Sequence, residues 1–166
     1  MNLLHKGKMT KAGIDALPPE WTNRKLDRDN TQRRIIADVV AGILMEKGKF
    51  LVEKRRVDDE ADPGYIEIPG GHVDPDETLE DALRREMKEE LGIEVESARL
   101  VQKSLATATN GERMRIHYFH VEKWNGRIGS KEAERVYWEP EVSNLSIIPD
   151  RRAVQRILRT QDQINR

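Results

Sequence analysis

The clearest pattern along the chain is a helical one between Thr78 and Gly92. On a wheel of about 100° per residue, five apolar residues fall on a single arc: Leu79, Ala82, Leu83, Met87 and Leu91. The Thr78 hydroxyl can cap the first turn, and Gly92 suits the left-handed position that ends a helix. The pattern therefore predicts a helix over residues 79–91 with one face in a hydrophobic core.

Two acidic side chains share the apolar face of this helix. On the wheel, Glu86 and Glu90 project within the apolar arc and Glu89 projects at its edge, whereas Arg85 points away. Like charges four residues apart repel one another, and burial without a partner is costly for each of them. Proteins resolve such a conflict with a shared proton, paired arginines or a divalent cation. The pattern therefore indicates a functional cluster rather than a solvated acidic helix.

Apolar positions elsewhere in the chain follow the spacing of strands. We predict strands at 35–45, 49–54, 65–69, 95–105, 113–122 and 136–138. Gly48 makes a hairpin of the first two strands, and Asn110-Gly111 favours a tight turn between the fourth and the fifth. A second helix is predicted at 151–160, with Asp150 as its N-terminal cap. Strands interleaved with two helices predict an α/β fold with a mixed sheet covered on both sides.

Two short segments between these elements are interpreted as irregular. Gly70-Gly71 follows the third strand and is taken as a glycine loop that leads towards the first helix. Trp124-Asn125-Gly126 is taken as a turn after the fifth strand, since Asn and Gly tolerate turn conformations.

Composition narrows the class of protein. The 166 residues, with 37% hydrophobic and 36% charged side chains, suit one globular domain with a sizeable core. A formal net charge of −1 argues against binding of nucleic acid through bulk electrostatics. The absence of cysteine removes disulfides and thiol nucleophiles. No apolar run suits a membrane span or a signal peptide, so we expect a cytoplasmic protein with no membrane partner.

Residues 1–34 differ from the rest of the chain. They are polar, they are broken by Pro18-Pro19, and their apolar residues follow no sustained period. We interpret them as an N-terminal extension of a domain that spans residues 35–166. Three roles stay open for the extension: it wraps the domain, it joins a second subunit in a homodimer, or it is a frayed tail.

The segment from Gly71 to Ile93 resembles a known family motif, the Nudix box. In that motif, glycine, acidic, arginine and aliphatic (U) residues follow the spacing G-x5-E-x7-R-E-U-x-E-E-x-G-U. The match is complete at the fixed positions: Gly71, Glu77, Arg85, Glu86, Met87, Glu89, Glu90, Gly92 and Ile93. The resemblance, to MutT-like Nudix hydrolases, implies an α/β/α sandwich with a mixed β-sheet. It also implies an enzyme that cleaves phosphoanhydride bonds in a nucleoside diphosphate linked to another moiety.

The same resemblance implies a metal site. By comparison with the family, Glu86, Glu89 and Glu90 hold the metal, and the Gly70 carbonyl is a further ligand. Mg²⁺ is the expected ion, with Mn²⁺ as an alternative, because hard cations prefer oxygen ligands. Such ions neutralise charge on the phosphoryl oxygens and help to make water nucleophilic. Glu86 is also the leading candidate for activating that water.

Three further residues complete the expected catalytic set. Family members commonly add a carboxylate from a distant loop, as ligand or as base, and we assign this role to Glu132 with Glu134 as the alternative. Glu77 and Arg85 are expected to form a salt bridge that fixes the loop before the helix and orients Glu86. Solvated surface charge is the other interpretation of these residues.

Three basic residues are candidates for contact with the substrate. Arg55 and Arg56 end the second strand, and their distance in sequence from Gly70-Gly71 resembles that in the nucleoside-triphosphate branch of the family. Guanidinium groups suit phosphate, although a solvated arginine pair is the alternative. His72 is a candidate for phosphate contact or proton transfer, and an exposed polar role is its alternative.

The expected substrate is a (deoxy)nucleoside triphosphate, with 8-oxo-dGTP as one case, cleaved to a monophosphate and pyrophosphate. ADP-ribose and dinucleoside polyphosphates are alternatives, as is a non-catalytic domain that senses a nucleotide. Many ADP-ribose enzymes carry a proline shortly after the box, and here no proline lies between Pro75 and Pro140. All carboxylates of the box are present, which favours catalysis over sensing.

Overall fold

The computed structural model describes residues 36–164, so the extension predicted for residues 1–34 and a homodimer formed through it lie outside the described residues. The strands are β1 Ala37–Glu46, β2 Lys49–Lys54, β3 Ile66–Glu67, β4 Gly70–His72, β5 Glu94–Thr107, β6 Arg113–Asn125 and β7 Arg135–Glu139. Helix α1 is Leu79–Glu86, and a π-helical turn, Met87–Leu91, continues it. A short 3₁₀ turn, Val142–Asn144, precedes helix α2, Ile148–Ile164.

A mixed sheet of seven strands is organised around β1. On one edge, β1 runs parallel to β6, with paired residues from Ala37–Met114 to Leu44–Val121. Its other edge is shared, because β4 pairs antiparallel with residues 39–41 and β2 pairs with the last two residues of the strand. The long β5 lies outside β6, whereas β3 and β7 both pair with β2. The predicted hairpin of β1 and β2 is confirmed.

Two hydrophobic clusters cover the two faces of this sheet. One face packs against α1 and the π turn: Val40, Leu44, Leu51, Ala82, Leu83, Met87, Leu91, Phe119 and Val121. The other face packs against α2: Ala41, Ile43, Phe50, Val52, Ile116, Tyr118, Ala153, Val154 and Ile157. Neighbouring residues of β1, β2 and β6 alternate between the two clusters, as strand geometry requires. The structure is the predicted α/β/α sandwich.

Both predicted ends of the first helix are confirmed. The Thr78 hydroxyl accepts a hydrogen bond from the backbone N–H of Asp81 at 3.1 Å, and Gly92 has the left-handed φ of 75°. The predicted α-helix does not run unbroken to Leu91, because its last five residues form the π turn. A wheel with a fixed angle per residue cannot anticipate that change of pitch.

Gly70 and Gly71 form part of strand β4 and not a loop, so that interpretation was wrong. Gly70 pairs with Ala41 and Gly71 pairs with Val40 of β1. A Cβ atom on Gly70 would overlap the Val40 carbonyl oxygen, and one on Gly71 would overlap the Glu86 carboxylate. These glycines therefore allow a close approach of backbone and side chains, which sequence alone does not separate from turn formation.

Two predictions near the C-terminal half were also wrong. Helix α2 begins at Ile148, so Asp150 lies in its first turn and is not the cap. The Asp150 carboxylate instead points inward, where it accepts hydrogen bonds from the Tyr118 hydroxyl at 2.6 Å and from the Ile68 N–H at 2.9 Å. Trp124 and Asn125 are the last residues of β6, and only Gly126 of the three takes a positive φ.

Neither helix between residues 36 and 164 is long and apolar enough to cross a membrane.

The close approach at β4 predicts a specific intolerance to substitution. We expect Gly70→Ala to lower the free energy of unfolding by about 3 kcal/mol or more, because the added methyl group meets backbone that cannot rotate away. Gly129→Ala is the matched control, since nothing lies within 4 Å of a Cβ there, and its effect should stay within about 0.5 kcal/mol. Urea unfolding of the three proteins measures both changes. Equal stability of the two variants would contradict the close packing of β4.

Candidate active site

The end of α1 and the π turn carry the two inward carboxylates. Glu86 and Glu90 are buried, each with 9% of its surface exposed, whereas 51% of the Glu89 side chain is exposed. Gly71 of β4 lies directly against the Glu86 carboxylate. The exposures agree with the positions on the wheel, because two glutamates lie inside and the third lies at the edge.

Arg85 donates five hydrogen bonds, three to residues before the helix and two to glutamates of the helix and the π turn. Its Nε and Nη2 atoms donate to the two carboxylate oxygens of Glu77 at 3.0 and 2.8 Å. Its Nη1 atom donates to Glu86 at 2.6 Å and to Glu89 at 3.2 Å, and Nη2 also donates to the His72 carbonyl at 2.8 Å. The hydrogen bond from Arg85 lowers the pKa of Glu77. The structure thus contains the expected salt bridge, and it fixes one oxygen of Glu86.

Burial and like charges both act on the inward carboxylates. Burial raises the pKa of Glu86, an effect that Arg85 partly offsets. Burial also raises the pKa of Glu90, and the charges of Glu53, Glu86 and Glu132 raise it further. The Oε2 atom of Glu90 is buried and has no hydrogen-bond partner among residues 36–164. Such an atom is costly in the charged form unless a cation or a proton compensates it.

Glu53 is a member of this cluster that the sequence analysis missed. It lies on β2 with 4% of its surface exposed, and burial is the largest cause of its raised pKa. The signal was present in the sequence, because Leu51 belongs to the core on the α1 side and residues two apart on a strand share a face. Within a run of six strand residues, an acidic residue on that face was overlooked.

The loop between β6 and β7 brings Glu132 to the same region. Its backbone is fixed to the π turn and to the segment after β2, because Lys131 N–H donates to the Glu90 carbonyl and Arg56 Nε donates to the Glu132 carbonyl at 2.9 Å. The Glu132 charge contributes to the raised pKa values of Glu53, Glu86 and Glu90. The alternative residue, Glu134, forms an ion pair with Lys54 at 2.9 Å. Glu132 is therefore the better placed of the two loop glutamates.

A cavity of ≈ 200 Å³ lies next to the carboxylate cluster. Its apolar walls include Ala41, Ile68 and Ile116, and its wall towards the cluster is formed by Gly70 and Gly71. Two of the basic residues singled out from the sequence, Arg55 and His72, also line it. The third, Arg56, does not line it and instead holds the Glu132 loop, as described above.

Two acidic side chains inside the cavity were not identified from sequence. Glu67 has a buried Oε1 atom with no hydrogen-bond partner in the described part of the chain, and burial raises its pKa to about 8. Asp150 is held by Tyr118 and the Ile68 N–H, and burial raises its pKa to about 6. The sequence pattern suggested another role for each of them, because Glu67 was predicted only as a strand residue and Asp150 was predicted as a helix cap. Their inward direction depends on how β3 and α2 pack.

Two pairs of residues form hydrogen bonds across the edge of the cavity. Asp62 and Thr109 exchange hydrogen bonds, since each side-chain oxygen accepts from the other residue's N–H at 2.8 Å. His72 Nε2 lies 2.9 Å from Glu112 Oε1. Arg55 is held on the rim by hydrogen bonding to the Ala61 carbonyl at 2.9 Å and by Asp59 at 3.3 Å. The loop 55–65 and the loop 108–112 are thus joined over one side of the cavity.

Comparison with known proteins identifies the family. The family model described as the NUDIX domain matches residues 33–156. The chain belongs to the Nudix family. This confirms the resemblance that the box predicted, and the sandwich with its mixed sheet is the fold of the solved Nudix structures that it resembles. The predicted class of enzyme, a Nudix hydrolase, is likewise confirmed.

Two curated relatives and one solved structure illustrate the similarity. CTP pyrophosphohydrolase of Escherichia coli is 35% identical over 101 residues, which cover 61% of this chain and 73% of the relative. The 8-oxo-dGTP diphosphatase of Buchnera aphidicola is 30% identical over 105 residues, which cover 61% of this chain and 75% of the relative. The MutT NUDIX hydrolase of Burkholderia pseudomallei superimposes with a TM-score of 0.66 at 26% identity, covering 75% of this chain and 99% of that one.

Nudix hydrolases generally use a divalent metal ion, and the chemistry of this cluster fits one. As the side chains stand, no three His, Asp or Glu residues in the stretch from 36 to 164 converge tightly enough to hold a metal ion. The donors are nevertheless hard oxygens, the Oε2 atom of Glu90 lacks a partner within the described residues, and the missing side chain of Gly71 lets the Glu86 carboxylate lie against β4. A cation would compensate the buried charge that the protein groups leave uncompensated.

The raised pKa of Glu67 predicts a pH dependence of stability. The folded protein binds the proton more tightly than the unfolded chain, whose pKa is the ordinary 4.5, so this contribution is complete below 4.5 and is lost as the pH rises through about 8. Glu67→Gln removes this titration. As the pH rises from about 5 to about 9, the free energy of unfolding of the variant relative to the wild type should therefore increase by on the order of 3 kcal/mol. Thermal unfolding of both proteins across this range measures it, and a pH-independent difference would refute it.

Proposed function

We propose that this chain is a Mg²⁺-dependent pyrophosphohydrolase that cleaves a (deoxy)nucleoside triphosphate to a monophosphate and pyrophosphate. The observation that carries this proposal is the position of the short strand β4 between the cavity and the carboxylates. Gly70, Gly71 and His72 line the cavity, and Gly71 also contacts the Glu86 carboxylate. A ligand seated in the cavity can therefore extend past β4 to the acidic cluster.

The size and lining of the cavity favour the base end of a nucleotide. Whole small-molecule ligands occupy pockets of about 300–1,000 Å³, whereas this cavity has ≈ 200 Å³. Apolar walls can cover the faces of a base, and the carboxyl groups of Glu67 and Asp150 can form hydrogen bonds with its edge. The charged phosphates then lie outside the cavity, where Arg55 and His72 stand at the wall. Arg56 has a supporting role in this proposal, since it holds the Glu132 loop.

The names of the relatives support a triphosphate substrate. One relative is a CTP pyrophosphohydrolase and another is an 8-oxo-dGTP diphosphatase, so both are named for nucleoside triphosphates. The base differs between them, and the identity of the base therefore remains the object of the experiment below.

The box glutamates Glu86, Glu89 and Glu90, the Gly70 carbonyl and Glu132 are the proposed ligands of Mg²⁺. When bound, the ion neutralises charge on the phosphoryl oxygens and lowers the pKa of water. The protein's own contribution is to bury these oxygens and to hold them in place. Arg85 does this for Glu86 and Glu89, and the backbone contacts of residues 129–134 do it for the loop glutamate.

Glu86 is the proposed general base. Arg85 binds its Oε1 atom at 2.6 Å, which leaves the Oε2 atom to accept a proton from the attacking water. The water oxygen forms a bond to an internal phosphorus, the bond from that phosphorus to the bridging oxygen breaks, and pyrophosphate departs with the electron pair. Glu77 acts through Arg85, because its two hydrogen bonds fix the guanidinium that orients Glu86. Glu132 is the alternative base, as the sequence analysis left open.

A substrate panel tests this function directly. We expect CTP, dCTP, dGTP or 8-oxo-dGTP to be cleaved with Mg²⁺ to a monophosphate and pyrophosphate, with kcat/KM at least about tenfold above that for ADP-ribose or a dinucleoside polyphosphate. Labelled water should enter a single product of each reaction. Release of orthophosphate as the primary product, or faster cleavage of ADP-ribose, would overturn the substrate class. Binding of nucleotides with no turnover would favour a nucleotide sensor.

Removal of one buried charge tests the metal assignment. We expect Glu90→Gln to reduce kcat/KM by at least about 100-fold at limiting Mg²⁺, because the amide keeps the shape of the side chain but not the charge that attracts the ion. Glu80→Gln is the control, since Glu80 lies on α1 away from the buried face and is exposed. Initial rates are measured over a range of Mg²⁺ concentrations. Near-normal rates for Glu90→Gln throughout that range would exclude Glu90 as a ligand.

A further inference from the structure

Glu53 lies on the same side of the sheet as the box glutamates, but it belongs to a different element. Its cross-strand partner on β7 is Val136, and two residues along the same strands Leu51 pairs with Trp138. Leu51, Val136 and Trp138 all pack in the hydrophobic cluster beneath α1 and the π turn. Directly paired residues of antiparallel strands project to the same face, so the Glu53 carboxylate points towards the π turn.

The surroundings of Glu53 do not neutralise it. Only 4% of its surface is exposed, and within residues 36–164 its carboxylate forms no hydrogen bond and no ion pair. The charge of Arg55 lowers the pKa of Glu53 and so partly offsets its burial, but the Arg55 guanidinium is also bound to the Ala61 carbonyl and to Asp59. Its effective neighbours are otherwise acidic, Glu132 and Glu90 among them.

A carboxylate that is retained in such a place needs a compensating group. A leucine buried beside Leu51 and Val136 would avoid both the loss of carboxylate hydration and the repulsion from Glu90, and a glutamine would avoid the repulsion. Acids outside the cluster differ in their partners: Asp150 accepts two hydrogen bonds and Glu139 accepts one from the Glu141 N–H at 2.8 Å, whereas the buried Oε1 atom of Glu67 has none within residues 36–164. Within the cluster, the Oε2 atom of Glu90 has no hydrogen-bond partner in that range either, and the charge of Glu53 contributes to the raised pKa of Glu90.

We propose that Glu53 is a further carboxylate of the divalent-metal site, supplied by strand β2 and paired functionally with Glu90 of the π turn. The proposal rests on the metal-dependent function proposed above and adds a ligand, direct or through water, that lies outside the box. Glu53 adds negative charge beneath Glu90, and oxygen-rich sites gain affinity for hard cations with each carboxylate. Without the ion, the same charge disfavours the folded state.

Glu53→Gln tests the proposal through metal binding, without reference to turnover. We expect its affinity for Mn²⁺, measured by electron paramagnetic resonance of the free ion, to fall at least about tenfold relative to the wild type. The rise in melting temperature that millimolar Mg²⁺ or Mn²⁺ produces should shrink in parallel. The metal-free variant should melt at or above the temperature of the metal-free wild type, because a buried repulsive charge has been removed.

Two further variants keep the interpretation specific. Glu139→Gln is the matched control, because Glu139 is a buried glutamate on the neighbouring strand β7 with 6% of its surface exposed, and its hydrogen-bonded carboxylate stands outside the acidic cluster. Its Mn²⁺ affinity should equal that of the wild type. Glu53→Asp keeps the charge but shortens the side chain, so we expect an affinity between those of the wild type and Glu53→Gln. This variant also decides the matter if Glu53→Gln does not fold.

The outcomes separate this proposal from the function on which it rests. If the wild type binds no Mn²⁺ and its melting temperature does not respond to the ion, the metal assignment fails as a whole. If Glu90→Gln loses affinity while Glu53→Gln and Glu53→Asp retain that of the wild type, Glu53 is a structural residue and only this inference is overturned. An equal loss in Glu139→Gln would also overturn it, because the effect would then follow from any buried glutamate.

Discussion

The site depends on one constraint, which is that buried glutamates of the helix lie against a strand, β4, that contains glycine in place of residues with side chains. Glu86 can lie inside the sandwich only because Gly71 of β4 has no side chain, since a Cβ atom there would overlap the Glu86 carboxylate, and Glu90 is buried one turn further along. Gly70 and Gly71 also allow β4 to pair with the central strand β1 and to form a wall of the cavity. One short strand thereby joins the hydrophobic core, the acidic cluster and the binding cavity. A side chain at Gly70 would overlap the backbone of β1, and one at Gly71 would overlap the Glu86 carboxylate.

Arg85 and Arg55 show how charge is distributed around that strand. Arg85 neutralises the outer side of the cluster, where Glu77, Glu86 and Glu89 meet its guanidinium. The inner side, at Glu90 and Glu53, receives no comparable cation from residues 36–164. The cluster is therefore electrostatically asymmetric. Arg85 forms ion pairs with the carboxylates on its outer side, whereas the carboxyl groups of Glu90 and Glu53 on its inner side form none within the described part of the chain. A cation at the interface between β2, β4 and the π turn, as proposed above, would offset this charge.

Local patterns predicted the features that depend on neighbouring residues. The caps at Thr78 and Gly92, the hairpin of β1 and β2 and the burial of Glu86 and Glu90 follow from spacing over one or two turns or from a turn residue. Asp150, Glu67 and Glu53 were misjudged or missed because their direction is set by packing between distant elements. The Tyr118 hydroxyl, 32 residues away in sequence, gives Asp150 its inward position. Arg55 and Arg56 are adjacent in sequence just after β2, yet one lines the cavity and the other donates to the loop of Glu132.

The π turn implies that this site tolerates a changed side chain better than a changed chain length. In a π turn the backbone hydrogen bonds span five residues where an α-helix spans four, so the segment holds one residue more than a regular helix needs to cover the same distance. Loss of a single residue between Met87 and Leu91 would let the segment relax to a regular helix with more favourable hydrogen bonds. It would also change the directions of the remaining side chains of the turn relative to Glu86, because the angle per residue differs between a π turn and an α-helix. Such a protein could keep its cap and its core while presenting the wrong side chains to β4. The number of residues in the π turn is therefore itself a determinant of the site.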